Sequence, residues 1–211
     1  RAQGATPEAA AATPEPAFAG LIDIGDRSLY LECQGGGGTT VVFVSGYLDS
    51  NVVWTTDLQQ RSPSPTMVFP GVAAFTRVCA YDRPGTAASI GDEDLIGRSD
   101  AIAQPRHAAE LVAELHALVH AAGIETPVVL VGHSLGGFLA RLYASTYPED
   151  VFGLVVLDAY SELLEELTTP EKWLALVELN RAQGTDTMVP IPGYGDLETI
   201  GFGSDNAVMR E

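Results

Sequence analysis

Positive charge is scarce in this chain of 211 residues, where 11 Lys and Arg stand against 28 Asp and Glu for a net charge of −17. A surface that acidic repels phosphate backbones and anionic headgroups, which argues against a nucleic-acid partner. Lysine occurs once, as Lys172, so a Ser–Lys catalytic pair would rest on a single residue that no motif supports. Cysteine is limited to Cys33 and Cys79, too few for a disulfide scaffold or a Cys-based zinc site. No apolar run reaches the roughly 18–20 residues that cross a bilayer as a helix, so no transmembrane segment is expected.

What is present is enough to bury a core: 46% of residues are apolar and 18% charged, which excludes disorder throughout. The length suits one domain with an attached segment. Residues 1–17 are Ala, Pro, Thr and Glu with almost nothing to bury, and read as a flexible tether. The chain opens on Arg1 rather than Met, which reads as an upstream piece removed. A tether of this composition just ahead of a domain leads us to expect an exported protein.

From Leu21 onward strands and helices alternate. LIDIG and SLYLECQG read as strands joined by the turn at Gly25-Asp26-Arg27. TTVVFVSG (39–46), RVCAYD (77–82), PVVLVG (127–132) and FGLVVLD (152–158) read as strands buried on both faces. Residues 51–60 suggest a short helix, the Pro-rich stretch 62–70 a loop, and 84–105 a long polar connection. Residues 106–122 carry Leu111, Val112, Leu115, Leu118 and Val119 on one helical face, ended by Gly123. Residues 136–147 form a second helix, stopped by Pro148. This order predicts an α/β domain with a mainly parallel sheet. After Asp158, residues 161–167 and 170–181 look helical, the latter with Thr169 as N-cap and Pro170 behind it.

Gly132-His133-Ser134-Leu135-Gly136 is a G-x-S-x-G set between a buried strand and a helix, the context in which that pattern marks a nucleophile. A serine on a sharp turn has its hydroxyl lifted clear of the sheet, with a helix N-terminus aimed at the charge that develops beside it. The glycines let neighbouring backbone pass close by.

With that motif the chain resembles the α/β-hydrolase superfamily from about Leu21 to Asp158. VFVSGYLDSNVVW (42–54) is similar to the family's third strand and its loop, with Ser45-Gly46 where His-Gly is usual. VCAYDRPG (78–85) resembles its fourth strand and turn, VLVGHSLGG (129–137) its elbow, and GLVVLDA (153–159) its sixth strand. The resemblance implies a three-layer α/β-hydrolase fold with a mainly parallel sheet: 18–158 as core and 159–211 in the place of a cap or lid. It implies Ser134 as nucleophile, and the backbone N–H groups of Tyr47 and Leu135 as the oxyanion hole. It also offers Asp158 as a candidate acid, and makes Asp82 and Arg83 a structural brace. Leu163, Leu164, Leu167, Trp173, Leu174 and Leu176 would line an acyl pocket or simply pack on the core. Because the family places the second and fourth strands side by side, Cys33 and Cys79 are expected to form a disulfide if the protein is exported.

The family's chain order is Ser, acid, His, yet His107, His116, His120 and His133 all precede Ser134. His133 is the elbow's variable position and is expected to point elsewhere. His116 and His120 are spaced i, i+4, but Ala117 follows where a zinc protease would have Glu, so they read as a solvated helix flank rather than metal ligands. His107 is a poor substitute base. The expectation is therefore a chain that stops before the C-terminal strands, helices and catalytic histidine. The function expected is a serine hydrolase acting on a small-molecule ester or related acyl compound, without cofactor or metal. An acyltransferase, peptidase or carbon–carbon hydrolase would use the same site, and a non-catalytic binding protein the same fold.

Overall fold

The computed structural model describes residues 17–90, 93–172, 174, 175, 197, 198 and 200. The tether expected over 1–17 lies outside them but for Ala17, as does most of the expected cap after residue 175.

One six-stranded sheet organises the chain, in the order β1-β2-β4-β3-β7-β8. Its strands are β1 (Phe18–Asp23), β2 (Ser28–Gln34), β3 (Val41–Val44), β4 (Val78–Tyr81), β7 (Val128–His133) and β8 (Val151–Leu157). The first two pair antiparallel and β2 joins β4 antiparallel, while β4, β3, β7 and β8 run parallel. The mainly parallel sheet is thus present, with an antiparallel edge.

Alternation along the strands sends side chains into two cores. Val42, Val44, Leu29, Leu31 and Leu130 face α3 (Ala108–Ala121) and α4 (Leu135–Thr146). Phe43, Val78, Ala80 and Val131 face the other way, against Trp54 of α1 (Val52–Thr55) and Phe69 of α2 (Val68–Ala73). Phe43 and Trp54 stack with ring centroids 4.6 Å apart. The result is helix, sheet and helix in three layers. The apolar face read on α3 is correct in full, since Leu111, Val112, Leu115, Leu118 and Val119 are all buried.

Three expectations are corrected. The polar connection 84–105 contains a hairpin, β5 (Ala87–Ile90) with β6 (Glu93–Ile96). Its strands are four residues each, so they fall below any run-length signal. The loop expected over 62–70 gives way to α2 at Val68. The third correction is 152–158, which is not buried: Phe152 is 71% exposed, and Leu154, Val155, Val156 and Leu157 are exposed too. A continuous apolar run reports two covered faces only if something lies beyond the strand, and β8 is the sheet's edge among the described residues.

Candidate active site

Ser134 joins β7 to α4 with φ 51° and ψ −119°. A non-glycine residue in that region costs on the order of 1–3 kcal/mol and persists only when its surroundings hold it. Here they do. The Ser134 N–H donates to the Leu157 carbonyl at 3.1 Å, and its own carbonyl accepts from the N–H groups of Tyr160 (3.0 Å) and Gly137 (3.1 Å). The elbow glycines are required by contact. A Cβ on Gly132 would meet the Gly136 carbonyl oxygen at 2.3 Å, and one on Gly136 would meet that of Val44 at 2.0 Å. The strand–turn–helix is therefore packed backbone to backbone against the end of β3.

Leu135 opens α4, so its N–H is among the first four of the helix, which have no intrahelical acceptor. Facing it is the loop after β3, a segment held by side chains. Arg83, itself 1% exposed, donates to the carbonyls of Ser45 (2.9 Å) and Gly46 (2.5 Å). Glu198 takes Arg83 through both oxygens, at 2.6 and 3.0 Å, and also accepts the Leu48 N–H at 2.7 Å. Burial, the largest single influence, pulls the Arg83 guanidinium down, but the charge and hydrogen bonds of Glu198, joined by Tyr81 and Asp49, together hold it above its ordinary range. These bonds on Ser45, Gly46 and Leu48 fix the peptides around Tyr47. Ser45, standing where the family's pattern has His, accepts from the Trp54 indole at 2.8 Å and donates to the Ser50 carbonyl at 3.2 Å.

Asp82 behaves as the brace that its motif suggests. It accepts the Asn51 N–H at 2.8 Å and the Arg98 backbone N–H at 3.0 Å. Asp158 directly follows β8, one strand from the elbow, solvent-exposed and at φ 45°. Leu157 and Tyr160, on either side of it, make two of the bonds that fix Ser134. The histidines are spread out. His107 precedes α3, its N–H bonded to Glu110, and His116 and His120 face Asp150.

His133 turns toward the loop after β3: its ring stands edge-on to Trp54 at 6.5 Å, and its Nδ1 lies 3.1 Å from where a Cβ on Gly46 would stand, a point 3.4 Å from Ser134 Cβ and 2.8 Å from Asp49 Oδ2. Asp49, His133 and Ser134 thus converge on the gap that Gly46 leaves open. Burial pushes the Asp49 carboxyl up, more than the charges of Arg83 and His133 draw it back.

Asp49 and Glu198 are the site residues that sequence reading missed. A buried arginine needs a carboxylate, but nothing in the sequence says that the partner of Arg83 lies 115 residues away. Among the residues named for an acyl pocket, Leu163, Leu167 and Leu174 are exposed, whereas Leu164, Trp173 and Leu176 have side chains outside the described set.

The sequence profile of the alpha/beta hydrolase family matches residues 41–207. The chain is 31% identical over 125 residues to the uncharacterized protein YqjL of Bacillus subtilis, covering 59% of this chain and 41% of that protein. It is 29% identical over 144 residues to the mouse (Lyso)-N-acylphosphatidylethanolamine lipase, covering 61% of this chain and 42% of the lipase. The structure of Cfl2 from Burkholderia cenocepacia superposes with a TM-score of 0.61 at 24% identity, over 82% of this chain and 52% of that one. The chain thus spans about half or less of the length of these relatives.

Proposed function

The chain belongs to the alpha/beta hydrolase family, and on that premise we propose that Ser134 is the nucleophile of a serine hydrolase that cleaves a carboxylic ester or related acyl compound. The observation that carries this reading is the left-handed backbone of Ser134 at a strand–helix elbow. Hydrolase chemistry belongs to the family; the serine acyl-enzyme is our reading of this site, and the likeness to a lipase supports the ester class.

In this scheme the Ser134 hydroxyl oxygen attacks the acyl carbon and its proton passes to a base. The tetrahedral oxyanion takes hydrogen bonds from the N–H groups of Tyr47 and Leu135. Collapse expels the alcohol, which takes up the proton, and leaves an ester on Ser134. Water then adds to the acyl carbon and releases the acid. Asp158, at the end of β8, is our candidate for the acid that orients the base.

All four histidines precede Ser134 in these 211 residues, and none is bonded to it among the described residues. A serine hydroxyl without a base is a weak nucleophile. In serine proteases that loss leaves about 10³–10⁴-fold over water, against roughly 10⁶ more with the triad complete. The 211 residues alone are therefore expected to hydrolyse a p-nitrophenyl ester slowly, and to react sluggishly with a fluorophosphonate at Ser134. Ser134→Ala should abolish both signals. Labelling that persists in Ser134→Ala, or enzyme-like turnover that does not depend on Ser134, would refute the assignment.

A further inference from the structure

Near the amino ends of β7 and β8, at the other end of these strands from Ser134, three side chains that the proposed reaction does not use come together. α3 places His116 and His120 one turn apart on one face, with ring centroids 4.3 Å from each other. The turn before β8, Pro148–Asp150, brings Asp150 beneath them. One carboxylate oxygen, Asp150 Oδ2, lies 3.4 Å from His116 Nε2 and 3.0 Å from His120 Nε2. All three donor atoms fall within 4.8 Å of one another.

We propose that His116, His120 and Asp150 bind a divalent transition-metal ion, zinc foremost. Nitrogen and oxygen ligands about 2.0–2.1 Å from a tetrahedral ion lie about 3.4 Å apart, close to the two spacings found here. Two imidazoles and a carboxylate suit zinc and its borderline neighbours, and disfavour magnesium and calcium, which prefer all-oxygen sites.

The surroundings hold the donors in place. Tyr147 stacks on the His116 ring at 3.9 Å, with 18° between the planes. The Tyr143 hydroxyl donates to Asp150 Oδ2 at 3.3 Å, and the Asp150 N–H donates to the Tyr147 carbonyl at 3.1 Å. Such outer partners orient ligands and tune affinity. Asp150 is buried, whereas the His116 and His120 side chains are 33% and 48% exposed, so an ion enters from solvent and keeps a water-facing position. The chain's excess of acidic residues favours cations around it.

The site is remote from Ser134. Val128 pairs with Val151 and His133 with Leu157 along parallel strands, so Asp150 and Ser134 are separated by the length of β7, about 20 Å. An ion here ties α3 to the start of β8, and its effect is on stability rather than on the attacking hydroxyl.

The untagged chain, freed of metal with a chelator, is titrated with cobalt(II) chloride and then zinc chloride. We expect one equivalent of cobalt to give a saturable tetrahedral visible spectrum that zinc displaces, with a higher melting temperature on loading. His116→Asn and His120→Asn should each weaken binding at least about tenfold, while His107→Asn, outside the cluster, binds as the parent does. These two positions are partly exposed, so circular dichroism should show both variants folded. A parent chain that gives no saturable cobalt spectrum would mean that the cluster is only a hydrogen-bonded ion pair. Unchanged affinity in the His116→Asn/His120→Asn double variant would equally overturn the site.

Discussion

Asp49 illustrates what a single residue contributes beside the elbow. Its carboxyl is half-buried against Gly46, and burial raises its pKa above the ordinary carboxylate value of about 3.9. The folded state therefore holds this proton more tightly than the unfolded chain does, and stability falls as pH rises through the window between the two values. Above that window the folded protein carries the full cost of a desolvated charge; below the unfolded value it carries none. Asp49→Asn removes the charge and keeps the shape. Its urea midpoint should exceed that of the parent by more at pH 7 than at about pH 4. A gap that is equal at both values would show that the Asp49 charge costs the fold nothing, and one reversed in sign that the charge stabilises it. Ser134 was legible because its glycine neighbours are a pattern with a mechanical cause, visible in the 2.0 Å clash that a Cβ on Gly136 would suffer. Asp49 was not, since an Asp in a loop carries no signature until Gly46 and His133 are seen around it.

Among the elements, those with long or strictly periodic apolar patterns were readable, as α3 shows, where all five apolar positions read from the sequence are buried. The β5–β6 hairpin was not, because four-residue strands such as EDLI are too short to show a period. β2 and β4 add a covalent tie. Cys33 and Cys79 are directly opposed in the antiparallel register and form a disulfide, the pairing expected for an exported chain. Export is our proposal, and the bond supports it, since such bonds persist in oxidising compartments. Mass spectrometry of unreduced, alkylated protein from its native host should find neither cysteine alkylated; two alkylated cysteines would count against export. The bridge closes a sequence separation of 46 residues, for which chain entropy gives about 4 kcal/mol and measured cases about 2–4. Cys33→Ala/Cys79→Ala should lose stability of that order in urea, and a loss near zero would mean that the strands are held by packing alone.

For the whole molecule, the decisive feature is the asymmetry of the two sheet edges. Among the described residues, β1 closes one side with two large apolar side chains exposed, Phe18 and Leu21, whereas β8 ends the other with five, Phe152, Leu154, Val155, Val156 and Leu157. An apolar edge strand with unpaired N–H and C=O groups is a template for another chain. The net charge of −17 opposes association by repulsion, but salt screens that repulsion to within about 8 Å at physiological ionic strength while leaving the apolar strand untouched. The 211-residue chain should therefore self-associate through β8, and more so as salt is raised. Light scattering coupled to size exclusion should show dimers or larger species growing with concentration. Phe152→Lys and Val156→Lys place a charge on exposed positions of this edge and should return the chain to monomer without lowering its melting temperature. A parent chain that stays monomeric in high salt would show that β8 is covered. Association unchanged by both lysines would place the contact on another surface.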